Sequence, residues 1–382
     1  MSVVGTSIAR QVVATGANTE AVAQEIVEAL RAPDLRIAFV FADWRHDPQV
    51  FAQTTQRGLA PAVTLGGTTV GVIASSAPRD GIAAVGLGLY GDWVHVGVGV
   101  AADLPKSALT RSRDAVQRAA VSMGRSASGL DPSRHVAISL IQGRSGQEEA
   151  FCIGSAAAAP QIRFVGGCSS TEVTSTRKPY IWLGGEVMTD AGIVIILESE
   201  LPFHAVNSAH LVSTETKTVV TAATGRVIEE LDGRPALTRL REITAYLGDE
   251  ITMPRPTSHS FARYVDGVPY VRSITHFEGE SIHLASAVEA GHVLRVMRPG
   301  DLIGQTTKDL ALAAEKVGGT MAALLAFSCV GRHWEAHAKN LDRELAGAYA
   351  QYGAVGYQSF GEQSGMLLVN HTLTGLAIGT RK

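Results

Sequence analysis

Three stretches of this 382-residue chain place hydroxyl, amide or acidic side chains directly after short apolar runs. They are LGGTTVGVIA (Leu65 to Ala74), VGGCSSTEVT (Val165 to Thr174) and YQSFGEQSG (Tyr357 to Gly365). In α/β units, ligands bind outside the carboxyl ends of parallel strands. Thr68, Thr69, Ser169, Ser170 and Ser359 are therefore candidate contacts for a small molecule. The third turn adds Glu362 and Gln363, and the apolar run ending in FSCVGR adds Ser328, Cys329 and Arg332. A guanidinium can hold a carboxylate through two parallel hydrogen bonds, and a glutamate can hold an ammonium. Arg332 and Glu362 at neighbouring strand ends would suit an amino acid or another small zwitterion. The plain alternative is an Arg332–Glu362 ion pair that closes the domain around no ligand.

The histidines and cysteines offer other chemistry. HWEAHA places His333 and His337 on one helix face, a spacing that can hold a metal. The order is H-x-E-x-H rather than the H-E-x-x-H of zinc proteases, and no third ligand stands nearby. Solvated or capping histidines are the competing reading. His371 follows Asn370 in VNHTLTG, where strand alternation sends the two to opposite faces. A single histidine suffices as an axial haem ligand. His46, His276 and His283 are further choices, and no C-x-x-C-H attachment motif occurs. Cys329 lies near Arg332 and His333, and nearby cations lower a thiol pKa. A Cys-Arg-His constellation competes with a small cysteine filling core space. Neither glycine-rich turn has the P-loop lysine or the GxGxxG spacing, and no G-x-S-x-G elbow occurs.

These residues must be positioned by a sizeable core. The chain is 46% hydrophobic and 18% charged, a globular profile with few charges to spare. A formal net charge of -3 without a basic run excludes a nucleic-acid-binding face. Three scattered cysteines suit a reducing compartment. The N-terminus lacks a charged start followed by an apolar block, so no signal peptide is expected. Runs such as GIVIIL fall far short of the roughly 20 residues that cross a bilayer. The expectation is a cytoplasmic protein with neither a membrane nor a nucleic-acid partner.

RIAFVFA, HVAISLIQG and TMAALLAFSCVGR read as buried strands. Helical stretches follow them (Pro48 to Gly58, Gln147 to Ala157, and about His333 to Gln351), then short strands ending in the three turns. Phe39 to Gly66 is 27 positions, Ile138 to Gly166 is 28 and Leu325 to Gly356 is 31, spacings similar enough to suggest one repeated unit. Strand–helix–strand implies a parallel pair with a right-handed crossover. The expected class is α/β (mixed α+β): repeated strand–helix–strand units forming mixed sheets covered by helices, in two domains. Asn18 to Arg31 has helical spacing. A hairpin turn at Asp232-Gly233, a Pro-rich link (Met253 to Ser258) and a hairpin at Asp266-Gly267 mark a region of short strands.

The chain resembles the FIST family, whose members pair an N-terminal and a C-terminal FIST domain. The resemblance rests on AFVFA, LGGTTVGVI, VGGCSSTEV, the D-G-x-P-A segment (Asp232, Gly233, Pro235, Ala236), and FSCVGR with Cys329 and Arg332. Gly361, Glu362, Asn370 and Thr372 complete it, over about Leu35 to Gly379. The family's first turn usually reads G-C-S-T-A-G-E; here Gly67, Val70 and Val72 replace Cys, Ala and Glu. The second turn lacks the family's last glycine and aspartate, so only the third keeps its acid. The resemblance implies a bacterial sensory module for small ligands, acting in signal transduction through a separate partner. It divides the chain into an N-terminal helical segment (1–34), a FIST N-like domain (35–225) and a FIST C-like domain (226–382). Some members look like haem-binding nitric oxide sensors acting on a histidine kinase, so haem, with His371, His333 or His337 as ligand, is the alternative. An enzyme using Cys329 or Glu362 is a third reading; the first expects no turnover.

Overall fold

The computed structural model of the chain describes residues 2–74, 82–251, 259–265 and 267–381. The Pro-rich link and Asp266 lie outside the described residues. The three expected strand–helix–strand units are present. Leu35–Asp43 pairs in parallel with Val63–Thr69, His135–Ile141 with Arg163–Cys168, and Met321–Cys329 with Ala354–Ser359. The crossovers are the helices Pro48–Leu59 and Glu148–Ala158, and, in the third unit, two helices, Val330–Ala338 and Asp342–Gln351. The single helix expected there is broken at Asn340, whose φ of 56° is left-handed, a conformation asparagine tolerates better than most residues.

Each parallel pair gains at least two antiparallel strands on one side. In the first unit these are Ala83–Tyr90 and then Ala9–Thr15. The second has Gly192–Ser199 and Val94–Ala101, the third Thr372–Gly379 and Phe203–Ala209. On its other side each pair receives a strand from a different unit. Ile181–Leu183, after the second turn, pairs with Leu65–Gly67 of the first unit. Glu362–Ser364, after the third turn, pairs with Val165–Gly167 of the second. Val72–Ile73, after the first turn, pairs with Gly356 and Tyr357 of the third. The three sheets thus close into a ring, and the three turns are the crossings.

The common core lies inside this ring. Phe41, Phe327 and Tyr357 meet there with ring centroids 4.6 to 6.4 Å apart, together with Leu140 and Val165. The helices pack outside, each with its own apolar layer. The same glycine recurs at each parallel crossing. A Cβ on Gly66 would lie 1.6 Å from the Val40 carbonyl oxygen, on Gly166 2.3 Å from that of Ser139, and on Gly356 1.7 Å from that of Ala326. In each case the atom met belongs to the residue opposite in the parallel register.

Two parts differ from the expectation. Residues 1–34 are not simply helical, since the strands Ser2–Gly5 and Ala9–Thr15 precede the helix Thr19–Leu30. Ala9–Thr15 hides its strand character because its burial is supplied by the glycine-rich neighbour Ala83–Tyr90. The short-strand region forms an eight-stranded sheet from Leu211–Thr224 to Val293–Pro299, with the helix Ala236–Tyr246 and its own core around Leu231, Leu240 and Phe261. It is inserted between Phe203–Ala209 and the helix Leu302–Lys316 of the third unit.

Candidate functional site

The hydroxyls of the three turns bond to the ring itself. Thr69 Oγ1 donates toward Gln358 O (3.0 Å) and Gly71 O (2.7 Å), and Ser170 Oγ donates to the same Gln358 carbonyl. Thr68 Oγ1 accepts from the Tyr180 amide at 2.9 Å, and Ser169 Oγ accepts from the Gly143 amide at 3.3 Å. Ser328 Oγ meets the Tyr349 hydroxyl at 2.8 Å. Gln363 Nε2 donates to Ser155 Oγ (3.1 Å) and Gly365 O (2.9 Å). All are buried, and none lines the cavity described below. They sew the units together.

Arg332 and Glu362 do not pair. Glu362 is fully buried and accepts from Ser359 Oγ at 2.5 Å and Thr372 Oγ1 at 2.6 Å. Burial pushes its carboxyl up to about 8, against smaller lowering by the two hydroxyls and Arg332. The Arg332 guanidinium, one turn into its helix, instead donates to Thr306 Oγ1 at 2.6 Å and approaches Nδ1 of His210 at 3.3 Å. The expected zwitterion clamp is therefore absent.

HWEAHA turns the other way from its expected use. Residues two apart on a helix differ by about 200°, so Glu335 and its flanking histidines cannot share a face. Glu335 faces inward. His337 is exposed and pairs with Asp342 at 3.2 Å, while His333 is half-buried against the Tyr349 ring. Glu335 anchors a buried network: its Oε2 accepts from His210 Nε2 at 2.7 Å, its Oε1 from Lys339 Nζ at 2.7 Å. Nε2 of His371 stands 3.3 Å from the same Oε2, an ion-pair distance without hydrogen-bond alignment. Despite burial, the His210 and His371 imidazoles hold the Glu335 carboxyl well below its usual range. Burial lowers His210 to about 4, so it is neutral, with its proton on Nε2 and Nδ1 facing Arg332. Replacing Glu335 with Ala leaves Lys339, Arg332 and His210 around an empty, water-poor space. We expect a loss of about 3–5 kcal/mol in urea unfolding, with an unchanged denaturant slope. A loss below about 1 kcal/mol would show that the network is not sealed.

His371 joins this network to a cavity of about 260 Å³. Its walls come from three parts of the fold: Arg144 and Val173 after the second unit's strands, Ser273 and Leu284 of the inserted sheet, and Cys329, Gly331 and Trp334 with Asn370 and His371 of the third unit. Asn370 and His371 both line it, against the alternation expected of a strand. The reason is that Leu367–Val369 ends before them, Thr372–Gly379 begins after them, and His371 has a left-handed φ of 57°. The Asn370 Oδ1 accepts from Ser286 Oγ, whereas its Nδ2 is fully buried with no hydrogen-bond partner. Nδ1 of His371 lies 3.1 Å from Ser273 Oγ. Gly331 packs against this imidazole so closely that a Cβ there would lie 2.8 Å from Nδ1. The Cys329 thiol, also in the wall, is pushed well above its usual range by burial and by Glu362. It is not the activated thiolate that its neighbourhood in sequence suggested.

Among the described residues, two triads could hold a metal by residue type: His210, Glu335 and His371, and His276, Glu278 and His283. In the first, Arg332 facing Nδ1 of His210 keeps the proton on Nε2, and Lys339 already neutralises the carboxylate, so a second cation has no role. His333 and His337 have separate neighbours and share no ligand set. Haem does not fit these residues either. Both nitrogens of His371 face protein groups, and the cavity is smaller than the ~300–1,000 Å³ of drug-sized ligand sites.

Of the residues singled out in the sequence, His371, Asn370 and Cys329 lie in the cavity wall, whereas Ser273, His210 and Glu335 were not marked by it. They come from distant segments, and nothing local marks them.

The ring of three sheets with an inserted sheet defines a mixed α/β protein. The chain belongs to the FIST family: a FIST N domain matches residues 4–234 and a FIST C domain matches residues 236–365. FIST domains are small-ligand sensory domains of signal transduction. The boundary between the two matches falls at the start of the helix Ala236–Tyr246. No curated protein matches the sequence. Among solved structures, the cyanuric acid hydrolase from A. caulinodans aligns at 12% identity over 98% of this chain and 99% of that chain, with a TM-score of 0.37. T. maritima PurL complexed with FGAR aligns at 9% identity over 99% of this chain and 74% of that chain, with a TM-score of 0.20. Neither likeness carries an argument about function.

Proposed function

We propose that the chain is a cytoplasmic small-ligand sensor whose ligand occupies the cavity beside His371. The observation that carries this reading is the Asn370 Nδ2, a wholly buried donor without a partner in the wall of that cavity. A buried amide N–H without an acceptor costs roughly 1–3 kcal/mol, and a turn of the Asn370 side chain that brought this donor to a carboxylate or carbonyl oxygen of a ligand would remove that cost. The Val330–Ala338 helix begins in the same wall without a side-chain cap, and its positive end favours an anionic group. Apolar groups of Val173, Ile274, Leu284 and Trp334 face the rest of the space. The ligand class is an amino acid or small carboxylate.

The cavity also suggests how binding is sensed. A ligand there touches both the inserted sheet and the ring, so it favours the arrangement in which the two meet. The signal then passes to a separate signalling protein, a histidine kinase being the kind the family resemblance implies. No helix among the described residues is long and apolar enough to cross a membrane. Three free buried cysteines fit a reducing compartment.

A thermal-shift screen of amino acids and small carboxylates is expected to give at least one saturable hit. Asn370→Asp keeps the Ser286 contact but replaces the donor by a carboxylate oxygen, and should abolish that hit. A hit that survives Asn370→Asp places the ligand elsewhere.

A further inference from the structure

We infer that Ser273, His371 and Glu335 form a nucleophile–base–carboxylate relay that can transfer the acyl group of a small ester or amide held in the cavity. This goes beyond the sensor reading and rests on it only in using the same cavity. Ser273 lies between the strands Val268–Arg272 and Ile274–Glu278, is buried, and lines the space. Its Oγ lies 3.1 Å from Nδ1 of His371, and the other ring nitrogen stands 3.3 Å from the Glu335 carboxylate. That order is the one a serine nucleophile needs: hydroxyl, imidazole, carboxylate. The ring is used in the opposite sense to the common triad, with Nδ1 toward the hydroxyl. Glu335 beside Nε2 favours the tautomer with the proton there, which leaves Nδ1 free to accept from Ser273.

The remaining requirements are met by neighbours. Gly331 lets the helix start lie against the His371 ring and fixes its plane. Lys339 and His210 hold the Glu335 carboxylate in place. The uncapped start of the helix Val330–Ala338 lies in the same wall, and its backbone N–H groups favour a developing oxyanion. The left-handed backbone at His371 is the kind of strain that an ordinary structural histidine has no need of.

The step balances without any other reagent than water. Ser273 Oγ bonds to the carbonyl carbon while its proton passes to Nδ1 of His371. The tetrahedral adduct collapses, the bond to the leaving alcohol or amine breaks, and that group departs with the proton from Nδ1. Water, deprotonated by the same nitrogen, then attacks the acyl-serine; the acid is released and Ser273 regains its proton. Ser273 and His371 are the catalytic residues, and Glu335 is a positioning residue.

The test uses the full chain with p-nitrophenyl acetate and, separately, a fluorophosphonate probe, followed by peptide mapping. The expected result is nitrophenolate release with an acyl adduct, and a phosphonyl adduct, both on Ser273. Ser273→Ala and His371→Asn, the latter chosen because asparagine tolerates the left-handed backbone, should each lower the rate by about 100-fold or more. Glu335→Gln should lower kcat while leaving KM near its original value. Absence of any adduct on the wild-type chain, or adducts mapped to another residue, overturns the inference. Equal reaction of a folded Ser273→Ala variant does the same. None of these outcomes touches the sensor reading, which is decided by the Asn370→Asp thermal shift.

Discussion

Gly356→Ala and Gly66→Ala are expected to prevent the chain from accumulating as folded protein. A Cβ at either position would lie 1.7 or 1.6 Å from a carbonyl oxygen of the partner strand, far inside contact distance. The atom met is backbone in the centre of a parallel pair, so no side-chain rotation relieves it. The strands would have to separate where Phe41, Phe327 and Tyr357 pack around the ring's interior. A cost above about 4 kcal/mol is expected, a large part of the ~5–15 kcal/mol that holds a typical domain. Gly347→Ala is the control. Gly347 lies in the helix Asp342–Gln351 with nothing within 4 Å of its added Cβ, and alanine there should stabilise by up to about 1 kcal/mol. Soluble yield and urea unfolding separate the outcomes. A Gly356→Ala protein within about 1 kcal/mol of the wild type would show that the two strands do not approach so closely.

The second expected result is a fall in stability between pH 6.5 and pH 8 that Glu362→Gln removes. The folded carboxyl sits at about 8 against 4.5 for an ordinary glutamate, so the folded state binds the proton more tightly than the unfolded chain. The stability linked to that proton is fully present below pH 4.5 and is lost as pH rises through about 8. Histidines act in the opposite direction. His210 is lowered to about 4 and His333 to about 3, so each adds stability as pH rises toward 6.5 and nothing beyond it. Below pH 6.5 the histidines outweigh Glu362; above it the Glu362 contribution is left exposed. At about 1.4 kcal/mol per pH unit the wild type should lose about 2 kcal/mol from pH 6.5 to pH 8. Glutamine has nearly the same shape and no charge to bury, and its amide can accept from one of Ser359 and Thr372 and donate to the other. Equal slopes for wild type and variant in urea titrations at pH 6.5, 7.2 and 8.0 would show that Glu362 is not a neutral acid at pH 7.

Both results concern residues whose importance was partly legible beforehand. Gly66, Gly166 and Gly356 were visible as the ends of three similar strand–helix–strand spacings. Glu362 was visible as the one acid kept among three turns. Its role was not. A charged-looking turn residue read as a ligand contact is a buried acid between two hydroxyls, because Glu362–Ser364 crosses into the second unit's sheet. Arg332 misled for a related reason. Cys329 and Ser359 are opposite in the parallel register, but Arg332 lies beyond that register, and its helix turns it toward Thr306 and His210.

The sequence by itself determined the mixed α/β class, the three repeated units and the family. These follow from local rules: apolar runs of strand length, helical periodicity, and glycine wherever two backbones nearly touch. Only the tertiary structure decided that the three turns cross between sheets, that Asn370 and His371 face the same way, and that Ser273, His210 and Glu335 gather around them. Strand exchange and the cavity depend on contacts between segments many residues apart, and a left-handed φ at one histidine overrides the alternation that a strand imposes. Local patterns fix elements; which side chains those elements bring within 3 Å of one another is fixed by packing that no short stretch contains.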